Sequence, residues 1–158
     1  MAFRQHLLLI MQDRGLPLSQ RLCLLCEAVD CPTPVMSAKK AADFLQRLEQ
    51  LDPAWAKRLE QLRYLQLEQT DAFSLQGEQL ACYLLFRHLP GALEDERLRE
   101  RVMFAAWSVL FLAALSQNAT DYVDAARAFS AEIEYSEENM DAMLTWLGEM
   151  CDGTDGLL

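Results

Sequence analysis

The sequence predicts an all-α protein: a single-domain bundle of about seven helices around a central apolar helix, Val102 to Leu115. Three observations carry this. Leu, Ala, Glu, Gln and Arg are plentiful, and six glycines and five prolines leave few breaks in 158 residues. β-branched residues are scarce: there are two isoleucines, and no run of Val, Ile or Thr reads as a strand. The longest apolar run, "VMFAAWSVLFLAAL", is too short to span a bilayer and suits a helix buried in a core. Apolar residues make up 52% and charged residues 24%, the balance of a folded chain and not of a disordered one. One core accounts for this length.

The elements follow in order. "AFRQHLLLIMQDR" is a helix stopped by Gly15. Pro17 sits at the start of "LSQRLCLLCEAV", where its missing N–H costs little. "DCPTPV" is a loop, since each proline restricts the residue before it. Ser37 caps "AKKAADFLQRLEQL", and Asp52-Pro53 reads as cap and first residue of "AWAKRLEQLRYLQLE". Phe44, Leu48, Leu51, Trp55, Leu59 and Leu62 step by three and four across that Asp-Pro. The two helices are therefore either nearly collinear or folded back as a hairpin.

"TDAFSLQGEQ" leads into the helix "GEQLACYLLFRHL", which stops at Pro90-Gly91. The charged turn "EDERLRER" opens the central helix, with Asp95 and Arg99 spaced to pair at i,i+4. After "SQNAT", Thr120 caps "DYVDAARAFSAEIEY" and Ser136 caps "EENMDAMLTWLGEM". Residues 1–151 form the helical domain, and 152–158 a frayed tail.

The net charge is −10, and nine of those ten charges fall between Asn118 and Leu158, where ten carboxylates face Arg127 alone. So acidic a surface repels phosphate backbones, which argues against nucleic acid, and attracts cationic peptides. "HLLLIM" has no cleavage site after it, and no run is long enough for a membrane span. The expectation is a cytoplasmic protein with reduced thiols.

Cys23, Cys26 and Cys31 raise the question of a metal site or a redox pair. Zinc wants four ligands, usually two close pairs, and His6, His88, Cys82 and Cys151 are the sulfur and imidazole groups left to complete a set. The thioredoxin-type motif follows a strand, and none precedes Cys23. Leu22, Cys23, Leu25, Cys26 and Val29 form one apolar stripe, so packing is the leading reading, with metal and redox chemistry as alternatives. There is no Gly-rich phosphate loop, no nucleophile elbow and no His-Glu-x-x-His. His88, at a helix end, suits a cap on the last carbonyls.

Two segments carry chemistry of another kind. In "YLLFRH", Tyr83 and Arg87 share a helix face, and in "FSAEIEYSEEN", Glu132, Glu134 and Tyr135 cluster near a helix end. An Arg–carboxylate pair between them would join two helices, or the same groups could grip a substrate lysine.

The order of segments resembles the C-terminal helical part of the flagellin lysine-N-methylase family. Gln12-Asp13-Arg14 and Arg21-Leu22 match a first element. Tyr83, Leu85, Phe86, Arg87, Leu89 and Pro90 match a second, and Phe129, Ser130, Ile133, Glu134 and Tyr135 a third. The family's cysteine-rich N-terminal segment has no counterpart here, so Cys23, Cys26 and Cys31 are not carried over as that site. The resemblance implies a domain that supports protein-lysine methylation without being catalytic alone. It would work beside an upstream catalytic region or subunit that uses S-adenosylmethionine, with flagellin as acceptor. Met1 would then be either an artificial start or the start of a truncated gene product. A stand-alone acidic interaction module is the alternative.

Overall fold

A helix that is apolar all round needs neighbours on every side, and the arrangement follows from that need. The computed structural model describes residues 2–62, 70–116 and 119–153. Among them there is no strand. The helices are α1 (Ala2–Gln12), α2 (Leu18–Glu27), α3 (Ala38–Gln46), α4 (Pro53–Leu62), α5 (Ser74–His88), the single turn α6 (Ala92–Asp95), α7 (Leu98–Leu115), α8 (Ala119–Phe129) and α9 (Glu137–Cys151). Eight of them have nine residues or more, against the seven or so expected. A 3₁₀ turn, Thr70–Phe73, leads into α5, and a π-helical turn, Ser130–Glu134, follows α8.

Every residue of α7 from Val102 to Leu115 except Leu110 is buried. α7 packs against α2, α4, α5, α8 and α9, while α1 lies across α2 and α5. Gly77 is what lets α5 close on its neighbours: a Cβ there would run into Leu18 of α2 and Val109 of α7. Trp107 and Phe111 stack at 4.8 Å, and Phe129, Trp55 and Trp146 complete an aromatic cluster around them.

Ser37 and Ser136 cap α3 and α9 through the N–H groups of Lys40 and Asn139, and Asp52 accepts from Ala54 at the start of α4. Thr120, expected as a cap, falls within α8, which begins at Ala119; the continuation of α4 through 63–68 and most of the expected tail lie outside the described residues. α3 and α4 form a hairpin and not a continuous rod. The apolar stripe across Asp52-Pro53 breaks accordingly, and Leu51 is 52% exposed.

That hairpin loop is held from the π turn. The buried carboxylate of Glu132 accepts from the backbone N–H of Leu51 at 2.9 Å and of Asp52 at 2.6 Å. Asn139 exchanges both its bonds with the backbone of Glu49 and donates to the carbonyl of Glu132. The buried side chains of Glu132 and Asn139 are thereby satisfied, as burial requires.

Two expectations need correction. Asp95 pairs with Arg101 and not with Arg99, because Glu96 adopts a left-handed conformation (φ 58°) and breaks the helix between them. Arg99 reaches Asp152 instead, at 3.2 Å. The thiols are not all reduced: Cys31 and Cys151, 120 residues apart, form a disulfide with their Cα atoms 5.0 Å apart. It ties the chain just past α2 to the end of α9. Cys23, Cys26 and Cys82 are free.

Cross-linking so long a loop restricts the unfolded chain. Cys151→Ser, or reduction, is expected to lower unfolding free energy by about 2–4 kcal/mol in urea titrations. Identical curves with and without dithiothreitol would show that the bond carries no stability.

Candidate functional site

α5 carries Tyr83, Arg87 and His88 towards the π turn that carries Glu134. Two residues apart on a helix point in different directions, so Glu132 and Glu134 cannot share a cluster. Glu132 faces the α3–α4 loop, and Glu134 faces α5. The π turn, closed by the Tyr135 N–H on the Ser130 carbonyl, presents both carboxylates just before α9 begins.

The Glu134 side chain is 2% exposed. Its Oε2 lies 2.8 Å from His88 Nε2, 3.3 Å from Arg87 Nε and 3.3 Å from the Tyr83 hydroxyl, which donates to it. The Arg87 guanidinium lies 5.6 Å from the Tyr135 ring centroid and 6.0 Å from that of Tyr83. Burial opposes ionisation of Glu134, but the bonds from His88 and Ser130 and the charges of His88 and Arg87 outweigh it, and the carboxyl titrates below its ordinary value. Burial, with the Glu134 charge beside it, pushes the Tyr83 hydroxyl up.

Of the residues singled out in the sequence, the structure thus brings together Tyr83, Arg87, Glu134 and Tyr135, and places Glu132 elsewhere. His88 is a partner of Glu134; its aromatic neighbour is Phe104, edge-on at 5.4 Å. A sequence signal existed in the imidazole one residue past Arg87, but a helix-end histidine reads equally well as a cap. Beside the cluster lies a cleft of about 440 Å³ between α5, α6, α7 and α9. Asp95, Glu134, Glu137 and Asp141 line it with His88, Arg97 and Arg101, over an apolar floor that includes Met140 and Leu144. Arg97 holds Asp141 at 2.7 Å.

A second charged cluster joins α1, α2 and α5. Glu78 receives Arg14 through Nε and Nη2 and Arg21 through Nη1, the last at 2.9 Å. Arg21, itself 2% exposed, also donates to the Met11 carbonyl and to Ser74. The bond from Arg14 first, and that from Arg21, hold the Glu78 carboxyl low against the opposing effect of burial. Arg14 and Arg21 were legible as elements of the first matching segment; their carboxylate was not.

The cysteines pack. Leu22, Leu25, Cys26 and Val29 are buried as one stripe, and Cys23 is half-buried beside Glu27. Burial, with Cys23 and Glu27 near, pushes the Cys26 thiol up to about 12, far from the thiolate that redox or metal chemistry needs. Among the described residues no group of three or more His, Cys, Asp and Glu is placed to hold a metal ion. None of the described helices is long and apolar enough to cross a membrane.

A groove of about 980 Å³ lies between α3 and α9. Its ring faces are engaged by the chain itself: Phe44 stacks on Trp146 at 4.2 Å, Arg47 covers Phe44, and Trp107 meets Trp146 edge to face. Comparison with protein-family models, curated proteins and solved structures finds no match to this chain.

Arg87 is partly exposed and Glu134 keeps other donors, so Arg87→Ala is expected to cost about 1 kcal/mol. His88→Ala, which removes the shorter, more buried partner, should cost about 2 kcal/mol. Thermal melts of both test this ranking; an unchanged melting temperature in both removes the pairing from the stability of the fold. Glu78 and Glu134 are more acidic folded than unfolded. Their contribution is therefore complete above the ordinary glutamate value of 4.5 and is lost as pH falls through the lower folded values. Glu134→Gln should flatten the stability profile below that value, and an unaltered acid limb would contradict it.

Proposed function

We propose that this chain is a helical recognition domain for a protein-lysine methylating system of the lysine-N-methylase type, and not its catalyst. One observation carries the reading. "YLLFRHLPG" and "FSAEIEY", two of the segments that bear the resemblance, meet at Glu134 beside an open cleft in which carboxylates outnumber cations. Glu137 is exposed on its rim and Asp141 is 70% exposed. A lysine-bearing segment suits such a cleft: its aliphatic stem lies on Met140 and Leu144, and its ammonium meets the carboxylates. Methyl transfer would belong to an upstream catalytic region or a partner subunit that holds S-adenosylmethionine, with flagellin the acceptor that the resemblance suggests. The domain would act in the cytoplasm, where reductants compete with the Cys31–Cys151 bond.

The alternative, an acidic interaction module outside any methylation system, is favoured by the exposed carboxylates of α9. A methylation assay with the catalytic partner separates the two.

A fluorescein-labelled lysine-rich peptide is expected to bind with a dissociation constant in the micromolar range, read by anisotropy. Glu137→Lys/Asp141→Lys should weaken binding about tenfold or more. S-adenosylmethionine should bring neither heat of binding nor methyl transfer with this chain alone. Methyl transfer by the isolated chain, or binding indifferent to the double substitution, would overturn the proposal.

A further inference from the structure

A second surface feature has nothing to do with the cleft. The start of α1, the end of α5 and α6 enclose an apolar groove of about 480 Å³, lined by Phe3, Leu89, Pro90, Leu93 and Leu98, with Arg4 at its edge. Its walls are unusually bare. Leu93 is 90% exposed, Phe3 38% and Leu98 37%, and the Arg4 guanidinium lies 4.9 Å from the ring of the neighbouring Phe86, itself 62% exposed. Scattered exposed leucines mean little, but several large apolar side chains around one concavity mark a surface that is covered in use.

The charges at the rim say by what. Arg4 stands on the α1 side, and Glu94 and Glu96 stand exposed on the α6 side. Among the described residues none of the three makes an ion pair. The surface therefore carries a protruding leucine with the groove that would take it, and a cation with the carboxylates that would meet it. Such a patch complements itself, which is what a two-fold interface demands.

We propose that this groove is a homodimer interface, occupied by a second copy of the chain. Leu93 of each copy enters the groove of the other, and Arg4 of each copy meets Glu94 and Glu96 of the other. The inference is independent of peptide binding, whose cleft has a different lining.

Sedimentation velocity from about 1 to about 100 µM tests it. The protein should convert from monomer to dimer within that range. Leu93→Asp should raise the dissociation constant about 100-fold, with an unchanged melting temperature because the side chain is exposed within one copy. Arg4→Glu should separate the copies, and Arg4→Glu/Glu94→Arg/Glu96→Arg should reunite them. A monomer throughout the range overturns the proposal, as does a dimer that survives both Leu93→Asp and Arg4→Glu. Failure of the triple exchange to restore a dimer overturns the charge pairing.

Discussion

Helix α7 presents apolar side chains in every direction, so water must be excluded from its whole circumference between Val102 and Leu115. Each fully buried Leu, Phe or Val contributes about 1.5–3 kcal/mol relative to exposure. No single neighbouring helix can cover such a rod. α2, α4, α5, α8 and α9 each take a sector, and glycine at position 77 lets α5 come close enough to do so. The order of the other elements is a consequence: they are the walls this helix requires.

Walls must also be joined, and the joints are buried carboxylates. Glu78 binds α5 to α1 and α2 through two arginines. Glu132 binds the π turn to the α3–α4 loop through two backbone N–H groups. Glu134 binds the π turn to α5 through His88, Arg87 and Tyr83. A buried charge without partners is costly, and each of these has at least two. The same rule explains the candidate site. Glu134 is spent on the fold, so the recognition proposed for the cleft would fall to the exposed Glu137 and Asp141 at its rim, while the Tyr83 and Tyr135 rings flank Arg87.

The core was legible because an uncharged run fits few environments, and the helix starts were legible because Ser37, Asp52 and Ser136 are side chains that bond backbone N–H groups. The Arg87–Glu134 contact was legible in part, since an arginine and a carboxylate at two helix ends have a narrow geometry. Glu132 was misplaced because nearness in sequence was read as a shared face, whereas residues two apart on a helical turn point in different directions. Glu78 looked like any glutamate on an amphipathic helix until α1 and α2 brought Arg14 and Arg21 to it. The pairing of Cys31 with Cys151 depends on where two helix ends meet across 120 residues, and no local pattern encodes that.

If α7 is the enclosed centre, its amides can exchange only when the whole bundle opens. Native-state hydrogen exchange measures this residue by residue. The account predicts that amides from Phe104 to Leu112 are the slowest in the chain, with opening free energies equal to that of global unfolding, while those of α3 and the start of α1 open sooner. Amides of α7 that exchange through a smaller, local opening, faster than those of the surrounding helices, would contradict it.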